Sequence, residues 1–122
     1  LKDNAFLDEL LSLLEEETDS AITESLLNTL NAHISECDEE QTAFLVEKVV
    51  PILTPFLKAK ETGLRRLTNK IFSEFLEKAQ DVFEPYFREL SAVQQKLIKR
   101  SLETRRNENS SSNSYIAPSS PI

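Results

Sequence analysis

The chain predicts an all-α fold: an α-solenoid of three antiparallel helix pairs, about six helices in all. Three observations lead there. Phe6, Phe44 and Phe83 recur at near-equal spacing, and each begins an apolar stretch followed by a turn and a second apolar stretch. A period of about forty residues holding two helical patterns marks stacked helix pairs. Glycine occurs once while Leu, Glu, Lys and Ala abound, which disfavours sheet. The 122 residues suit one domain, expected as a helical part over 1–106 and a Ser/Asn-rich flexible tail over 107–122.

The first helix is expected over Asn4 to Glu16, capped by Asp3 or Asn4. Phe6, Leu7, Leu10, Leu11, Leu13 and Leu14 give it a broad apolar face. Glu15, Glu16 and Glu17 oppose the dipole at a helix C-terminus, so the helix should stop there. Asp19 or Ser20 then caps a second helix, whose Ile22, Leu26, Leu27, Leu30 and Ile34 share one face. Asp38 followed by Gln41 reads as a capping box for the third helix, which should run from there through Phe44 and Val49 to Leu57. Pro51 and Pro55 fall inside it and predict a bend near Val50.

Thr62 is the expected cap of the fourth helix. Leu64, Leu67, Ile71, Phe75 and Ala79 should line its buried face, widened by Phe72 and Leu76. Asp81 is expected to open a short fifth helix, with Pro85 in its first turn. Ser91 and Gln94 suggest a second capping box before a sixth helix carrying Val93, Leu97, Ile98 and Leu102. Beyond Arg106 the Ser/Asn run cannot bury a core, and Tyr115, Ile116 and Ile122 are its only anchors. Within that tail, Ser119-Ser120-Pro121 is a candidate for proline-directed phosphorylation. The apolar residues of the first and last pairs suggest that more protein, the tail or a second copy covers at least one end. Leu1 in place of an initiating Met points to a piece of a longer protein.

Charge is distributed unevenly. Residues 1–40 hold twelve acids and one base, a net −11, while residues 41–122 hold nine acids and thirteen bases, a net +4. An acidic first third repels nucleic acid, and a basic last third attracts acidic partners. Salt-sensitive pairing of the two ends is one consequence. Lys96, Lys99 and Arg100 are spaced to share one side of the sixth helix, and Arg105 and Arg106 extend them. They form either a site for an acidic peptide or a solvated face with bases near a helix C-terminus. Lys58 and Lys60 add positive charge to the preceding inter-helix turn. Nucleic acid is disfavoured because the patch is short and not interleaved with aromatics.

Catalytic and metal chemistry find little to work with. One cysteine, Cys37, allows no internal disulfide and suits cytosol or nucleus. One His and one Cys do not make a zinc site. The acids from Glu15 to Asp19 lack the spacing and glycine of a calcium loop. A triad would need His33, the lone histidine, and no nucleophile elbow is present. Gly63, the lone glycine, rules out a glycine-rich phosphate loop. The acidic setting of Cys37 should raise its pKa instead of activating it. No run of eighteen apolar residues spans a membrane. The expectation is a non-enzymatic binding module without cofactor or metal.

The segment VEKVVPILTPFLKAKETGLRRLTNKIF, from Val46 to Phe72, resembles a HEAT repeat. Pro51 matches the proline of that repeat's first helix, and Arg65 or Arg66 the basic residue of its second. The string VFEPYFRELSAVQQKLIKRSLETR, from Val82 to Arg105, resembles the closing repeat of TOG-type arrays. Its nearest likeness is to the C-terminal domain of the CLASP family of microtubule regulators, through Phe87, Leu90, Lys96, Leu97, Ile98 and Arg100. The likeness covers roughly Phe44 to Arg106. Tubulin-gripping TOG domains carry a Trp in the first inter-helix loop. This chain has no Trp, and its first loop is acidic, as tubulin is. The resemblance therefore implies a partner-binding or dimerising domain. Its partners would be microtubule-tip or kinetochore proteins, tubulin itself, or a second copy in a homodimer, in the cytoplasm, cytoskeleton or spindle. A piece of a generic HEAT scaffold in transport or chromosome machinery is the alternative.

Overall fold

The computed structural model describes residues 4–116, with side chains described over 5–104. These residues form six α-helices and one short 3-10 helix, with no strand among them. The helices are α1 (Asn4–Glu16), α2 (Ser20–Ser35), α3 (Glu39–Leu53), α4 (Thr62–Lys78), α5 (Gln80–Glu89) and α6 (Ala92–Ile116). α4 packs against α2, α3, α5 and α6, while α1 rests on α2 and α3, and α3 also meets α5.

Two of the expected caps form as read. Asp19 Oδ1 accepts from the amides of Ala21 at 2.9 Å and Ile22 at 3.2 Å, which starts α2. Asp38 and Gln41 form the reciprocal capping box of α3. Asp3 lies outside the described residues.

α3 differs from expectation in length. It ends at Leu53, and the 3-10 helix Thr54–Lys58 takes over, with Pro55 in its first turn. Pro51 stays inside α3 on the exposed side, as does Glu47, whose carbonyl it leaves without an amide. Water can satisfy a carbonyl there, so the helix tolerates the proline. Thr62 is not the cap of α4 but its first residue. Its Oγ1 is occupied by the Arg65 guanidinium at 3.2 Å, and Arg65 also donates to the carbonyls of Ala59 at 2.6 Å and Lys60 at 2.9 Å. Arginine chemistry closes this turn where a hydroxyl cap was expected. Gly63, in the first turn of α4, faces the Glu24 carboxylate of α2, which a Cβ would meet at 3.0 Å. The helix N-terminus favours that negative charge.

α4 and α5 are joined at one residue. Ala79 donates to Phe75 O at 2.8 Å, ending α4, and accepts from Phe83 N at 2.9 Å, starting α5. That start displaces Asp81 from the expected opening position and moves Pro85 out of the first turn into the body of α5. Ser91 Oγ accepts from Gln94 N at 3.2 Å at the start of α6. The side chain of Gln95 turns back and donates to the carbonyls of Phe87 and Leu90, each at 3.0 Å, closing α5. α6 continues through Ile116, past the expected helix end at Arg106. Tyr115 and Ile116 lie on it but outside the described side chains, and Ile122 and Ser119-Ser120-Pro121 lie outside the described residues.

The core runs through all six helices, and its aromatic residues gather between α4 and α5. Phe72, Phe75 and Phe83 are fully buried and mutually in contact, with ring centroids 5.4 to 6.1 Å apart, and Phe87 adjoins Phe83 at 5.9 Å. The recurring phenylalanines do not occupy equivalent core positions. Phe83 is buried, but Phe6 is 46% exposed and Phe44 62% exposed. The buried stripes belong to Leu7, Leu10, Leu11 and Leu14 in α1 and to Leu45, Val46 and Val49 in α3. Phe6 and Phe44 each precede the start of a stripe by one residue, which turns them about 100° around the helix.

Truncation should separate these positions. Phe83→Ala is expected to cost about 3–5 kcal/mol in denaturant unfolding, and Phe44→Ala less than about 1 kcal/mol.

Candidate functional site

The sequence-predicted bases reach the surface in three different settings. Ile98 and Leu102 form the buried stripe of α6. Lys96 and Arg100 lie nearly opposite it, four residues apart and exposed. Beside them stand Val93, 67% exposed, and Leu97, 39% exposed. The outer face of α6 thus carries an apolar strip bordered along one edge by two cations. Lys99 departs from the expected shared side. It turns toward α5, and its ammonium lies 5.7 Å from the Phe87 ring centroid. There it lines an open groove of about 420 Å³ with Leu76, Glu84 and Glu103 among its walls. Arg105 and Arg106 continue α6, with side chains outside those described.

Lys58 and Lys60 stand exposed between α3 and α4, Lys58 as the last residue of the 3-10 helix. The Arg65 bond to the Lys60 carbonyl fixes the turn that carries them. Arg65 is therefore structural, while Arg66 is exposed.

Sequence reasoning missed a polar cluster where α2, α3 and α4 meet. Lys78 Nζ donates to the carbonyls of Ile34 at 3.3 Å, Ser35 at 3.0 Å and Cys37 at 3.0 Å. It also pairs with Glu74 Oε1 at 3.2 Å. Ser35 Oγ donates to Glu74 Oε2 at 3.1 Å. One lysine thereby supplies the donors that the C-terminus of α2 lacks and binds that terminus to α4. The available signal was Glu74 itself, an acid at the spacing of Leu67, Ile71 and Phe75 and buried with them. An acid on an apolar stripe calls for a cation within reach.

These residues border an open groove of about 560 Å³ with Cys37, Asp38, Glu39 and Glu77. The pKa of the Cys37 thiol is raised, first by burial and then by Asp38, Glu36 and Glu74, against the opposing pull of Lys78. The direction matches expectation, with burial and not the acidic turn as the leading cause. The thiol donates to the His33 carbonyl at 3.4 Å. His33 faces the Phe6 ring, centroids 5.9 Å apart. Among the described residues no group of three or more His, Cys, Asp or Glu is placed to hold a metal, and no helix is long and apolar enough to cross a membrane.

Two results should follow. Lys78→Met is expected to destabilise the fold by about 2–3 kcal/mol, because it takes a donor from three carbonyls and a cation from beside a buried carboxylate. The pair Lys78→Met with Glu74→Gln should lose less than the sum of the two single changes in a double-mutant cycle. The folded chain holds the Cys37 proton more tightly than the unfolded chain does. The stabilisation from it is thus complete below the usual thiol range and lost as pH rises through the raised value. Alkylation of native Cys37 should accordingly begin at higher pH than in the urea-unfolded chain.

Comparison with known protein families, curated proteins and solved structures finds no match to this chain.

Proposed function

We propose that the chain is a non-enzymatic protein-interaction module, an α-solenoid of three HEAT-like helix pairs that engages partners through the outer face of α6. The observation that carries this reading is the exposed pair Val93 and Leu97 beside Lys96 and Arg100. An apolar strip with a cationic edge suits an acidic, amphipathic partner surface. The order of packing supports the solenoid: α2 on α4 on α6, and α1 on α3 on α5. Pro51 in α3 and the tight turn before α4 support the HEAT likeness of residues 46–72.

Together with the likeness over residues 82–105, this favours a piece of a CLASP-type microtubule regulator. Its partners are then microtubule-tip or kinetochore proteins, or tubulin, in the cytoplasm or on the spindle. A second reading, a piece of a longer HEAT scaffold in transport or chromosome machinery, draws on the opposite end. Exposed Phe6, Leu13 and Ile22 there are residues that a preceding repeat would cover.

Capture from lysate followed by identification of the bound proteins tests the first reading. Microtubule-tip or kinetochore proteins are the expected recovery. Reversing Lys96 and Arg100 to Glu should weaken that binding about tenfold, since two rim charges are worth roughly 1–2 kcal/mol. Unchanged recovery by a folded variant would remove α6 from the site.

A further inference from the structure

We infer that the two ends of the helix array dock on one another in trans, so that the partner of the α6 outer face is the α1–α2 end of a second copy of this chain. The inference rests on the reading of α6 as the interaction face and names its occupant.

At the first end, Phe6 and Leu13 lie seven residues apart on one stripe of α1 and are exposed. The Phe6 ring meets His33 of α2, so the stripe is on the α2 side of the helix. Asp8, on the other side of α1, pairs with Lys48 of α3 at 3.3 Å. The Phe6–Leu13 stripe therefore looks away from α3, and Ile22 of α2 adds to its apolar area. Glu9 and Glu16 flank it, both exposed, and α1 contains no base.

The far end has the inverse character. Val93 and Leu97 supply the apolar seam, Lys96 and Arg100 the charge. Apolar residues on each end would meet apolar residues, and the acids of one copy would face the bases of the next.

The internal packing supplies the geometry. α2 lies against α4, and α4 lies against α6. Among the described residues, no helix of this series follows α6 and none precedes α2. Seating a second copy's first pair on α6 continues the series the chain already builds. The contact joins two different surfaces, so each copy keeps one end open. Association of this kind is heterologous and grows with concentration instead of closing as a dimer.

Sedimentation velocity of the whole chain across a concentration series tests this. The mean mass should rise past the dimer with concentration and fall as salt rises, because exposed charges beyond about 8–10 Å are screened at physiological ionic strength. Leu97→Asp spoils one end and Leu13→Asp the other, both at exposed positions where helicity by circular dichroism should be unchanged. Each variant alone should stay monomeric. Their equimolar mixture should form a one-to-one dimer that grows no further, since it holds one intact pair of ends. A wild-type chain that is monomeric at every concentration, or a dimer that persists in either variant alone, overturns the inference. A monomeric chain that still captures partners through Lys96 and Arg100 overturns it while leaving the interaction-module reading in place.

Discussion

Burial of α4 is the constraint on which the other elements depend. Leu64, Leu67, Ile71, Phe72 and Phe75 are buried along it, and Thr68, Ser73 and Glu74 are buried with them. A helix covered on several sides needs neighbours on several sides. α2, α3, α5 and α6 provide them, and α1 is held through α2 and α3. The aromatic cluster shows how tightly α5 is bound to this centre. Phe83 packs against both Phe72 and Phe75, and the single-residue join at Ala79 leaves little freedom in how α5 leaves α4.

Polar groups fix what the apolar groups hold together. Hydrophobic contact alone leaves the ends of packed helices free to slide. Lys78 meets three carbonyls at the end of α2, Arg65 meets two before α4, and Gln95 meets two at the end of α5. In each case a side chain on the following or neighbouring helix caps a segment it does not belong to. Three turns are thereby tied to the helices beside them, and satisfied polar groups of this kind favour one arrangement over its close competitors.

Much of the architecture could be read in the residues. The helical class, the end of α1 at Glu16, the Asp19 cap and the Asp38–Gln41 box all follow from local chemistry acting on its own segment. Features that need two segments were not legible. Nothing near Lys78 in the sequence announces the end of α2 as its acceptor, and nothing near Gln95 announces Leu90 O. The phenylalanine period pointed to helix pairs, yet only Phe83 of the three is in the core. Periodicity places residues around a helix to within one position, and one position separates a buried side chain from an exposed one. The bases of α6 divide for the same reason. Lys96 and Arg100 are one turn apart, while Lys99 is carried around to the Phe87 ring.

Among the described residues, the centre is covered while apolar residues of the first and last helices are exposed. The middle helix spends its apolar surface inside, whereas α1 and α6 keep exposed apolar residues beside charge of opposite sign. Hydrogen exchange resolved along the chain, at low and at high protein concentration, tests this division most directly. The account predicts that α4 amides exchange most slowly under both conditions, and that raising the concentration adds protection in α1, α2 and α6 but not in α4. Exchange of α4 as fast as that of α1, or ends whose protection ignores concentration, would contradict it.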